Sequence, residues 1–229
     1  MKTLGIFTCL LVAASSSRLS GQTLHPLYND KTEEVFEPAL LGMWVICLGN
    51  VYTVCEGLQF EGSPDKGYRV SSPLEETPKV DVVYAFHLIR LGDALFGDLK
   101  LTDIVVAGRS LAFNFQWGQT HRIFRVSFKE GKLVTGSVDF NHVETQRALA
   151  EKGIQLHLET LDDGSLLALA PTADLQQFAR KMAHDKRVFS DEEWERPEKE
   201  EGGGNKKGKS RPLRRQGRNP EGASRRAAH

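Results

Sequence analysis

Seven histidines, three cysteines and one close pair of aspartates are the side chains with which this chain could do chemistry. His25, His87, His121, His142, His157, His184 and His229 are scattered, and no two form the His-x-x-x-His pair that sets metal ligands on one helix face. On strand alternation His121 shares parity with Ile123, Arg125 and Ser127, and His157 with Gln155 and Glu159. Both are expected to face solvent. His87 lies in an apolar run and reads as a hydrogen-bonded core histidine. Asp93 and Asp98 could act as a carboxylate pair, but Gly92 and Gly97 precede them, which is turn chemistry. The chain has no Gly-x-Ser-x-Gly elbow, Walker loop or dinucleotide fingerprint. The reading is no catalytic residue, no metal ligand and no cofactor. An enzyme stays open, because catalytic triads are defined by geometry and not by local sequence.

Cys9 falls in an apolar N-terminal run. Cys47 and Cys55 flank Gly49-Asn50, a turn pair. Two strands joined there would set the cysteines opposite one another. Either they form a disulfide or they are two buried thiols.

The elements that must position these residues follow from pattern. Met1-Lys2-Thr3, the apolar Leu4–Ala14 and Ser15-Ser16-Ser17 have the three parts of a secretory signal. We read residues 1–21 as signal, with small-residue cleavage sites before Ser15 and before Gln22. That places the protein in the periplasm or outside the cell. The apolar run is shorter than the roughly 20 residues of a spanning helix, so no transmembrane span is expected after its removal. Residues 22–37 form a polar lead-in. Leu40–Cys47 opens a β-domain, with Leu41, Met43, Val45 and Cys47 on one parity and Gly42, Trp44 and Ile46 on the other. Both sets are mostly apolar, as in a strand covered on both faces.

Apolar runs and turn residues continue the pattern. Val51–Phe60, Tyr68–Val70, Val80–Leu91, Ala94–Leu99, Leu111–Trp117, His121–Phe128 and Leu133–Phe140 read as strands. Gly92-Asp93, Gly118-Gln119 and Glu130-Gly131 read as tight turns, giving an antiparallel meander. Val82–Ile89 lacks clean alternation, which fits two-sided burial or a bulge. Phe124, Val126 and Phe128 are expected inward. Asn141 with Glu144 looks like a capping box for a short helix ending at Gly153. Leu175, Phe178, Ala179, Met182 and Ala183 form the apolar stripe of a docked helix.

The chain has 229 residues, with 40% hydrophobic and 26% charged. Thirty basic residues balance 30 acidic ones, but the charges are segregated near the C-terminus. Asp191, Glu192, Glu193, Glu195, Glu198, Glu200 and Glu201 form an acidic block, Gly202-Gly203-Gly204 follows, and a Lys/Arg-rich tail ends the chain. Residues 191–229 hold too few apolar side chains to offset ordering entropy and are expected to be disordered.

Four groups of residues carry a family resemblance. They are Leu41-Gly42-Met43-Trp44; Phe86-His87-Leu88 with Leu95-Phe96-Gly97-Asp98-Leu99; His121-Arg122-Ile123-Phe124-Arg125-Val126; and Ala170-Pro171-Thr172-Ala173-Asp174-Leu175-Gln176-Gln177-Phe178. In this order they resemble a family of uncharacterised exported bacterial proteins with a lipocalin-like, or calycin, β-barrel. The resemblance implies a mainly β fold over residues 38–190: a single antiparallel lipocalin-like β-barrel with a short inserted helix, a docked C-terminal helix and a disordered tail. It implies no catalytic residues. Lipocalins also carry a late Arg over the Trp, for which no local motif points to a residue here.

Three functions are consistent with these features. The leading one is a non-enzymatic binder of a small apolar or lipid-like ligand, with Trp44, Phe86, Phe113, Phe115, Trp117, Phe124 and Phe128 lining the cavity. The second is a cell-envelope module whose residues 202–229 hold polyanions or an anionic surface. The third is a hydrolase or isomerase at the barrel mouth.

Overall fold

The computed structural model describes residues 21–29, 32–48, 54–74, 79–111 and 120–197. The proposed signal before Gly21, Phe113, Phe115, Trp117 and the basic tail lie outside these residues.

The described chain is mainly β. Two short strands come first, β1 (Gln22–Thr23) and β2 (Glu33–Glu34), then a 3-10 turn at Pro38–Leu40. Next are β3 (Gly42–Leu48), β4 (Val54–Ser63), β5 (Gly67–Leu74), β6 (Val80–Leu91), β7 (Ala94–Val106) and β8 (Arg109–Ser110). β9 (His121–Lys129) and β10 (Lys132–Val138) precede a helix at Val143–Glu151. β11 (Leu158–Thr160), β12 (Leu166–Ala168), a second helix at Thr172–Met182 and β13 (Phe189–Trp194) complete the order.

These strands make one 13-stranded sheet. Antiparallel neighbours run β3-β4-β5-β6-β7-β9-β10-β13, as the short turns require. β1 joins β9 and pairs in parallel with β12, which carries β11. The lead-in is therefore part of the sheet, and Gly21 already belongs to it through its carbonyl, which accepts from Ile123 N–H at 3.1 Å.

The sheet is not closed into a barrel, contrary to the expectation. Among the described residues, its edges β3 and β13 meet only at one bridge, Val45 with Glu195. Past Glu195 the pairing cannot extend: the Arg196 side chain bonds the Ala39 and Leu41 carbonyls just before β3, and Pro197 has no N–H to donate.

Part of the acidic block is ordered, against the reading of 191–229 as disordered. Asp191–Trp194 continue β13 along β10. Buried Phe189 and Trp194 anchor the strand, and the Trp194 indole donates to Thr135 Oγ1 at 2.9 Å. Lys132 pairs with Glu193 and Glu195, and Arg125 with Asp191, which relieves the acidic run.

Both faces of the central strands are covered. The inner core joins Leu40, Trp44, Phe60, Tyr68, Phe86, Leu99, Phe124, Leu133 and Trp194. The outer core joins Leu27, Ile89, Phe96, Ile123 and Phe140 to both helices. This accounts for the lost alternation in β6, which also has a bulge opposite it: the register slips between Val83 and Tyr84, with Thr102 of β7 the extra residue. All five residues of the apolar stripe, Leu175, Phe178, Ala179, Met182 and Ala183, are buried in the outer core. The capping box is not formed. His142 holds the N-cap position, Asn141 donates to the Gly164 carbonyl, and Glu144 takes Arg147 instead. Gly153 does end that helix, with φ +62°.

Candidate functional site

The inner face changes character along its strands. At the Trp44 end it is solid. Trp44, Phe86 and Phe124 are 2–4% exposed, the Phe86 and Phe124 rings stack at 5.9 Å, and Trp44 meets Phe128 at 6.3 Å. Gly97 permits this packing, since a Cβ there would stand 2.5 Å from the Phe86 ring and 2.7 Å from that of Phe124. Of the seven aromatic candidates, the structure brings together Trp44, Phe86, Phe124 and Phe128. They belong to one packed cluster on the inner face.

Elsewhere the same face is only partly covered. Ser72, Tyr84, Leu101, Ile104 and Arg122 all lie on it and are half-buried, as is Leu58 opposite Trp44. Cross-strand pairs carry the row from Phe86 through Leu99 to Arg122, and from Val70 through Tyr84 to Leu101. The β7 bulge keeps Ile104 inward past Thr102, because Val82 pairs with Ile104. Glu56 shares this face through its pairing with Ile46.

Glu56, Ser72, Tyr84 and Arg122 interrupt the apolar lining, and two of them are shifted in their titration. Burial pushes the Tyr84 phenol up, with Glu56 adding to the rise and Arg122 opposing it. Burial pushes the Arg122 guanidinium down, opposed by Tyr84. Sequence reasoning passed over both, although the signal was present. Arg122 shares parity with inward Phe124 and Val126, and Tyr84 with inward Phe86.

The solid end is closed by a specific arrangement. Gly42 sits at φ +101°, next to Arg196. The Arg196 guanidinium lies 3.9 Å over the Trp44 ring and donates to the Leu41 and Ala39 carbonyls at 2.6 and 2.7 Å. Trp44 Nε1 donates to the Leu40 carbonyl at 2.8 Å, so the 3-10 turn, the tryptophan and the late arginine form one unit. Arg196→Ala should therefore cost about 1–2 kcal/mol, combining an exposed cation–π contact with lost hydrogen bonds. A denaturant midpoint unchanged from wild type would show that the arginine only rests on the ring.

No family model, curated protein or solved structure matches the chain. Function must come from the geometry.

The outer face holds a second polar group. Asp98, expected in a turn, lies mid-strand in β7 and is 1% exposed. Its Oδ1 accepts from His121 Nδ1 at 2.6 Å, and its Oδ2 from the Leu27 N–H at 2.6 Å. A carboxylate only accepts, so Nδ1 carries the proton. His121, expected to face solvent, is 5% exposed. The parity was right but its meaning was not, because helices and the lead-in cover that face too. His87 is half-buried rather than in the core. It stacks on Tyr28 at 3.8 Å and contacts Glu34 at 3.3 Å. Asp93 is an exposed turn residue bonded to His184, which holds its carboxyl below the usual range. Asp93 and Asp98 do not pair.

Asp98 and His121 fasten the lead-in. The Leu27 carbonyl accepts from Gln176 Nε2 at 3.0 Å, so side chains satisfy both backbone groups of this buried residue. Cys47 and Cys55 are bonded to each other across β3 and β4. Among the described residues, no three His, Cys, Asp or Glu side chains gather as metal ligands, and no helix is long and apolar enough to cross a membrane.

Proposed function

We propose that this protein is an exported, non-enzymatic carrier with a lipocalin-like inner pocket for a small, lipid-like molecule. One observation carries the reading: the inner face is packed around Trp44, Phe86 and Phe124 and half-exposed at Tyr84, Leu101, Ile104 and Arg122, where apolar and polar side chains share the lining. A sheet of this kind presents a floor and an opening, the form of a small-molecule site. The Gly42-x-Trp44 strand start under Arg196 supports the lipocalin-like half, since lipocalins place a late arginine over that tryptophan. The Asp98–His121 pair does not favour a hydrolase at the opening, because it lies on the opposite face beneath the lead-in.

The test uses Nile red, an uncharged dye that brightens in apolar surroundings. Saturable emission at one dye per chain, displaced by dodecanol, is the expected result. No saturable emission would contradict the carrier reading. The mass of the chain exported by its own host tests the address. It should begin after Ala14, which keeps Gly21 for the sheet, and recovery of the full chain inside the cell would refute export.

A further inference from the structure

The half-open end of the inner face contains a charge that the described residues leave unanswered. The Arg122 side chain forms no hydrogen bond and no ion pair among the described residues. Its one titratable neighbour of consequence is the Tyr84 phenol, which burial keeps neutral, and that phenol likewise makes no hydrogen bond there. Glu56 acts on Tyr84 but is not among the groups acting on Arg122. A desolvated guanidinium without a carboxylate is costly to a fold. Yet no described side-chain nitrogen or oxygen that is sealed from solvent lacks a partner. The polar ends of Arg122 and Tyr84 therefore reach solvent from the inner face. The Phe86 and Phe124 rings lie beside them, and Leu101 and Ile104 continue towards the open end.

We propose that Arg122 and Tyr84 form a head-group site that holds the terminal oxyanion of an amphipathic ligand, carboxylate or phosphate, with its alkyl chain running past Leu101 and Ile104. The site rests on the carrier reading and adds the ligand's charge to it. The guanidinium fork matches two oxygens of such a group at once, and the phenol supplies a further donor. Bound there, the anion supplies the counter-charge that the fold omits.

The experiment is calorimetric titration of the full chain with dodecanoate, dodecyl phosphate and dodecanol, which share one chain length. Charge-assisted hydrogen bonds of this kind correspond to about a 10–100-fold gain in affinity. One or both anions should bind at least about 10-fold more tightly than the alcohol, and the tighter anion identifies the head group. Arg122→Gln should bring the anion to the alcohol's affinity while leaving dodecanol within about 2-fold, and Tyr84→Phe should lose part of the anion preference.

A melting curve guards against a folding artefact. Arg122→Leu removes an unpaired desolvated charge, so the ligand-free variant should melt at or above the wild-type temperature. Equal binding of anion and alcohol by the wild type, or an anion preference that survives Arg122→Gln, overturns the head-group site while the carrier stands. A lower melting temperature for Arg122→Leu also overturns it, because the arginine would then be structural. Binding of none of the three overturns both.

Discussion

Phe178→Ala will lower the stability of this protein by about 3–5 kcal/mol, the cost of emptying a large aromatic site in a packed core. Phe178 is fully buried and contacts the rings of Phe140 and Phe189, each within 6 Å. It therefore joins the second helix to the strand end after β10 and to the start of β13. The surrounding groups belong to separate elements tied by the sheet, so the cavity cannot collapse cheaply. Urea denaturation reads the effect directly. A loss below about 0.5 kcal/mol, the range of surface substitutions, would mean that the helix is not docked.

Asp98→Ala should cost about 2–5 kcal/mol by a different route. It leaves two buried donors, His121 Nδ1–H and Leu27 N–H, without an acceptor, at about 1–3 kcal/mol each. The effect should be local as well as global. Hydrogen exchange at the Leu27 amide should accelerate well beyond the change at amides in the β6–β7 ladder, because the lead-in loses its fastening first. Exchange at Leu27 that stays as slow as in wild type would show that Asp98 does not hold this segment.

Much of the fold is legible in the sequence because its strands are long and their turns carry glycine. β6 and β9 begin and end close to where the apolar runs and Gly92, Glu130-Gly131 place them. The second helix is legible from one apolar stripe. What sequence alone does not show is the number of covered faces. His121 and Asp98 look like a solvent residue and a turn residue only if the sheet has one core. With helices on the outer face, the same parity makes them buried partners. Asp191–Trp194 look too charged to order, but Phe189 and Trp194 flank them and Lys132 faces them across the ladder. Such pairing depends on a strand about 60 residues earlier in the chain, which composition does not reveal.

The candidate site is legible in part. Aromatic content marks the inner face, yet the rings that match form its floor. Arg122 and Tyr84 follow from parity alone, once charged residues on an inward row are taken as seriously as apolar ones. Arg196, separated from Trp44 by the whole domain, has no local signature.

The most direct measurement of the central claim, that the inner face holds a lipid-like ligand, is a crystal structure with dodecanoate brominated at its terminal carbon. The account predicts an anomalous bromine peak on the inner face beside Leu101 and Ile104, with the carboxylate at Arg122. A bromine found only on the helical face, or an inner face left empty with ligand at saturating concentration, would contradict it.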